Sequence, residues 1–183
     1  MNDKELEKMK EELMHSDYTE DLHCALEKLQ IEDAKKIVES MTDTEIGWKV
    51  NIRRHQEDYI ADYLEYLWEI SKSAYWRHVK ITFDREVGIL WSSEMLHFTR
   101  LCNFKIPDDV WEVVLNFALG CDEKKKDDLE VIGCVVKAQA EKFGRLEEIK
   151  KRISLLGKAK YKVANRRIKK MLNTRSKYHF YNE

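Results

Sequence analysis

The chain has 183 residues, 37% of them charged, with 33 Lys and Arg against 34 Asp and Glu for a net charge of −1. One Pro and six Gly supply too few turn formers for an all-β chain, and a 43% hydrophobic fraction is enough for a packed core. No run approaches the roughly 18 apolar residues of a membrane span, and the polar start Met1, Asn2, Asp3, Lys4, Glu5 does not read as a signal peptide, so a cytoplasmic protein is expected.

The expected class is mainly α: a single compact helical domain over residues 1–172, of around eight helices, followed by a tail at 173–183. The length also allows two very small domains. The near-zero total charge conceals a dipolar layout. Residues 1–46 carry six basic and fourteen acidic side chains, residues 47–140 carry thirteen and sixteen, and residues 141–183 carry fourteen and four. Surface fields follow local charge, so the basic end either lies against the acidic one or is open to an anionic partner.

In the acidic part, Leu6, Met9 and Leu13 are spaced as on one helix face. Thr19 is a candidate N-cap for a helix through Leu22, Ala25, Leu26 and Leu29, with Ile31, Ala34, Ile37, Val38 and Met41 extending the pattern. The acids between them read as a solvated outer face. Residues 44–73 hold Ile46, Val50, Ile60, Tyr63, Leu64, Leu67 and Trp68 at helical spacing. Tyr59, Tyr63, Tyr66, Trp68, Tyr75 and Trp76 make this the aromatic-rich core segment, with a base-stacking platform or an interface hot spot as the functional alternative.

Val79, Ile81 and Phe83 alternate with Lys80 and Thr82, and Val87 to Trp91 is a second β-favouring run, so residues 79–91 are the hairpin candidate. Ser92 or Ser93 is placed to cap a helix holding Met95, Leu96, Leu101 and Phe104. A clearer helix opens at Pro107 with Asp108 and Asp109, buries Trp111, Val114, Leu115, Ala118 and Leu119, and closes at Gly120. After a charged loop at 121–128, Leu129, Ile132, Val135, Val136, Ala140 and Phe143 mark a buried helix that Gly144 ends. Leu146, Ile149, Ile153 and Leu156 then lead to Gly157.

The last helix departs furthest from an average protein. Tyr161, Ala164, Ile168, Met171 and Leu172 form a narrow apolar stripe, with Lys158, Lys160, Lys162, Arg166, Arg167, Lys169 and Lys170 around the rest. Together with Tyr161, Arg175 and Lys177, these cations are the candidate site. They suit a row of phosphates, with Arg166 and Arg167 able to form bidentate pairs, and Tyr161, Tyr178, Phe180 or Tyr181 able to stack on bases.

Catalytic chemistry finds little footing. Cys24, Cys102, Cys121 and Cys134 are widely spaced and read as core thiols, and His15 with His23 and Cys24 lacks the partner pair of a zinc site. No G-x-S-x-G elbow is present and the six glycines never cluster. Pro107-Asp108 with Glu148-Ile149-Lys150 repeats the letters of a metal-dependent nuclease motif, but on helical stretches instead of adjacent strands. No cofactor and no metal are implied.

The order Leu96, Leu101, Pro107-Asp108-Asp109-Val110-Trp111, Leu115, Ala118-Leu119, Leu129, Ile132 and Val135 resembles the helical domain of DnaD-like phage and bacterial replication proteins over about a third of the chain. No site residue is carried over from that resemblance. In size and charge density the chain is also similar to phage-borne accessory proteins, anti-CRISPR inhibitors among them. The expected function is non-enzymatic: binding of nucleic acid or a nucleoprotein complex through the basic C-terminal helix, as an accessory factor or inhibitor. An adaptor or homodimer that uses the opposed acidic and basic ends to engage an acidic protein or itself is the alternative, a nuclease the third, and no membrane partner is expected.

Overall fold

Leu22, Leu26, Ile37, Val38, Tyr63 and Leu67 are spread along the sequence, yet all are almost fully buried, because each sits on the apolar row of an amphipathic helix. The computed structural model describes residues 2–15, 19–52, 57–84, 100–120 and 126–173. Among these, ten helices account for the secondary structure, with a further helical stretch at 100–103 and no strand. Contacts gather into two compact units, Met1–His97 and Phe98–Glu183. Each unit buries apolar residues of its own.

The first unit contains α1 (Asp3–His15), α2 (Thr19–Glu27), α3 (Ile31–Ser40), α4 (Asp43–Ile52), α5 (Glu57–Ile70) and α6 (Lys72–Asp84). Helices α5 and α6 pack on each other and are covered by α2, α3 and α4. Two capping boxes begin helices here: Asn2 with Glu5 exchange bonds of 3.0 Å at α1, and Thr42 with Glu45 do the same at α4. Burial raises the Glu45 carboxyl, but the Thr42 N–H and hydroxyl and the Lys10 ammonium outweigh it and hold the group below its ordinary value. Lys10 is itself buried and donates to the Ser40 carbonyl at the end of α3.

The hairpin expected at 79–91 is not formed over its first arm. Val79 to Phe83 lie in α6, and residues 85–91 fall outside the described residues. The alternation misled because α6 is covered on several sides, burying Tyr75, His78, Val79, Ile81, Thr82 and Phe83, so tertiary burial overrides β propensity. Thr82 accommodates the helix by donating to the His78 carbonyl one turn back, at 2.8 Å. Ser71 caps α6 by accepting from the Ala74 N–H and donates to Glu39 of α3. His78 Nδ1 lies 2.9 Å from the Ala74 carbonyl, which can only accept, so in the neutral ring Nε2 receives the Tyr63 hydroxyl at 3.2 Å.

Tyr63 and Tyr75 are buried, while Tyr66, Trp68 and Trp76 are half-buried. Trp68, Tyr75 and Trp76 meet edge to face at 5.0 to 5.9 Å. These described aromatics of the central segment are thus core and core margin.

The second unit contains α7 (Asp108–Gly120), α8 (Lys126–Lys142), α9 (Leu146–Ser154) and α10 (Lys158–Leu172). Helix α8 buries Ile132, Cys134, Val135, Val136, Ala138, Gln139 and Ala140, most of the described circumference, as befits a central helix. Helices α7, α9 and α10 surround it. Gly144 ends the chain's passage from α8 with φ of 70°, a conformation that costs glycine little. Of the charged loop expected at 121–128, residues 126–128 already belong to α8 and 121–125 lie outside the described residues. Burial, with the neighbouring Cys134, pushes the Cys102 thiol up to about 12 against the smaller opposing effect of Lys142, so this core thiol stays protonated.

Candidate nucleic-acid interface

Helix α10 starts after Gly157 and is seated by Ala164, Ile168 and Met171, which are buried and recur at four- and three-residue steps. Its main contact is with α8, and α7 and α9 flank it. Each residue turns the helix by about 100°, so Lys158, Lys162, Arg166, Lys169 and Lys170 share an arc of about 120° on the side opposite that stripe. All five are exposed. From Lys158 to Lys170 the row runs about 18 Å along the helix axis.

The remaining candidates are placed differently. Lys160 is exposed on one flank of the row. Arg167 on the same flank is half-buried, and its guanidinium donates to the Leu119 carbonyl in the last turn of α7. There it satisfies a helix-end acceptor and complements the negative end of the α7 dipole. Tyr161 was expected within the apolar stripe but stands at its margin, 42% exposed. Leu172 is half-buried, and Arg175 and Lys177 lie outside the described residues.

Helix α10 has no acidic residue, in its first turn or elsewhere. Lys158, Lys160 and Lys162 crowd its N-terminal end, where the dipole is positive, and 158/162, 162/166 and 166/170 are like-charge i,i+4 spacings. Each such pair costs about 0.2–0.5 kcal/mol and each misplaced terminal cation a comparable amount. Within the helix itself this concentration of like charge is unfavourable.

Not every cation of the basic end reaches the surface. Arg145, 1% exposed, donates to the Ile106 carbonyl and to Asp108 Oδ1 (2.7 Å) and Glu148 Oε2 (2.8 Å), with Trp111 stacked at 5.3 Å. Asp108 and Glu148 are two of the letters of the nuclease-like motif. The fold brings these carboxylates together, but around a guanidinium whose positive charge repels a divalent cation, while Lys150 pairs with Glu147 at 2.6 Å. Among the described residues no group of three or more His, Cys, Asp or Glu could hold a metal ion. The signal that sequence reading missed at Arg145 is its setting, between Phe143 and Leu146 with Glu148 one turn on.

Beside Arg145, Gln139 is fully buried and saturates its amide: Nε2 donates to the Leu101 and Phe104 carbonyls at 2.8 Å, and Oε1 accepts from the Ile106 N–H at 3.3 Å. These two side chains hold the segment that leads into α7.

Fold and site together define a class: a mainly α protein of two small units, the second bearing an exposed basic helix. No family model, curated protein or solved structure matches the chain. No described helix is long and apolar enough to cross a membrane.

Proposed function

We propose that the protein is a non-enzymatic binding factor whose last helix holds the sugar-phosphate backbone of a nucleic acid, alone or within a nucleoprotein complex. The observation that carries this reading is the make-up of α10: five exposed cations in one arc, no acid in the helix, and lysines gathered at the dipole end that disfavours them. A helix built for stability alone would place Glu there. Phosphate oxygens suit a row of exposed cations of this kind. The engagement of Asp108 and Glu148 by Arg145 favours binding over cleavage. A charge-dense chain of this size suits an accessory factor or inhibitor of a nucleoprotein machine, of the anti-CRISPR or replication-associated kind carried by phages and mobile elements.

The test is salt-dependent binding to a short labelled duplex and single strand. Five phosphate contacts give a log–log slope of about −4.5 on duplex, a loss of about 500-fold in affinity between 50 and 200 mM salt. Replacing Lys162, Arg166 and Lys169 by Ala reduces that slope by about one unit each. Absence of binding at low salt overturns direct nucleic-acid contact.

The charge division between units favours one other reading, an adaptor or homodimer joined through opposite charges. The first unit carries 13 basic and 22 acidic side chains, a balance of −9, and the second 20 and 12, a balance of +8. Sedimentation at low and high salt separates the two readings, since a charge-paired dimer dissociates as salt rises.

A further inference from the structure

The flank of α10 that carries Lys160 and Val163 lies beside the basic row and borders a groove of about 770 Å3. Its apolar surface comes from Leu119 at the end of α7, Leu155 and Leu156 at the corner between α9 and α10, and Val163. Leu155 is 71% exposed and Val163 44%, so a concave apolar surface is left open to water.

The rim is cationic. The Arg152 guanidinium is braced by Asn116 Oδ1 at 2.7 and 3.2 Å, which holds its charge beside the groove, and Lys160 stands across from it on the first turn of α10. Glu112, 3.7 Å from Arg152, offsets part of that charge on the α7 side. The carbonyl end of α7 would contribute negative potential, but Arg167 takes the Leu119 oxygen. The balance at the groove is therefore positive.

We propose that this groove is a protein-docking site that receives an amphipathic helix of a partner protein, with Leu-type side chains on one face and Asp or Glu beside them. Three helices form the walls, which suits a helix laid in a groove, and the apolar lining offers no aromatic face for a nucleic-acid base. Charge complementarity to Arg152 and Lys160 selects acidic flanks. A second copy of the chain is a poor occupant. The acidic helices α2 and α3 already bury Leu22, Leu26, Ile37 and Val38 in their own unit, leaving Ile31 as the large apolar side chain that α3 exposes. Helix α10 would thus serve two partners, nucleic acid on its outer face and protein on its flank, and the docking site stands whether or not the outer face binds phosphate.

The probe is a fluorescein-labelled synthetic helix of about 16 residues, long enough to hold helical structure, with Leu at i, i+4 and i+7 and Glu beside them. Anisotropy titration of the full chain is expected to show binding with a Kd in the micromolar range. Val163→Glu and Leu155→Glu, both at exposed positions, weaken it about tenfold or more, and Lys160→Glu weakens it about fivefold and lowers its salt dependence. A probe with Leu replaced by Ala does not bind. The Lys162 and Arg166 variants that impair nucleic-acid binding leave probe binding unchanged, so the two readings fail separately. Absence of probe binding, or equal binding by Val163→Glu, overturns the proposal. So does a dimer in sedimentation that Val163→Glu dissolves, because the occupant is then a second copy.

Discussion

Arg145 counts toward the basic terminus by composition and is spent inside the second unit by the fold. Its two carboxylate partners, Asp108 and Glu148, are 85% and 55% exposed, so they return to water when the guanidinium is removed, and the buried cation's own desolvation cost disappears with it. Loss of Arg145 takes one donor from the Ile106 carbonyl, whereas loss of Gln139 takes partners from two carbonyls and one N–H of the segment leading into α7. Arg145→Met is therefore expected to cost about 1–2 kcal/mol and Gln139→Leu about 3 kcal/mol in urea unfolding. The reverse order would show that Arg145, and not the amide, holds the entry to α7.

At the scale of the element, α10 sets stability against charge. Replacing Lys158 and Lys162 by Glu puts acids at the positive end of the dipole and turns the 162/166 repulsion into an attraction, while 158/162 stays a like-charge pair. The double variant is expected to gain about 0.5–1.5 kcal/mol in thermal or urea unfolding while losing nucleic-acid affinity. A variant that loses stability would mean that these lysines make contacts within the fold and are not held for an external anion. Helix α6 makes a related point about element identity. Its Val-Lys-Ile-Thr-Phe run has strand-like alternation, yet burial against α3, α4 and α5 keeps it helical.

At the scale of the molecule, the two units carry opposite net charge, −9 and +8, with the positive charge gathered in residues 141–183. Each unit has a separate core, so damage to one should stay local. Ile168→Ala, which removes a side chain that seats α10 on the second unit, is expected to cost about 2–4 kcal/mol. It should speed hydrogen exchange in α7 to α10 and leave the amides of α5 and α6 at their original rates. Equal acceleration in both units would show that the whole chain unfolds as one cooperative body.

The legible part of this protein is whatever depends on neighbours within a turn or two of helix. The mainly α class, the start of α7 at Pro107 and Asp108, the exit from α8 at Gly144, the apolar row Ala164, Ile168 and Met171, and the exposed cations opposite it all follow from local spacing and backbone preference. What required the tertiary structure depends on residues distant in the chain. Arg145 meets Asp108 across 37 positions and Arg167 meets Leu119 across 48, which withdraws both cations from the open face. The groove is equally nonlocal, assembled from the end of α7, the α9 corner and one flank of α10. Periodicity says which side of a helix is apolar, whereas only packing between helices decides how much of that side is covered and which charges it captures.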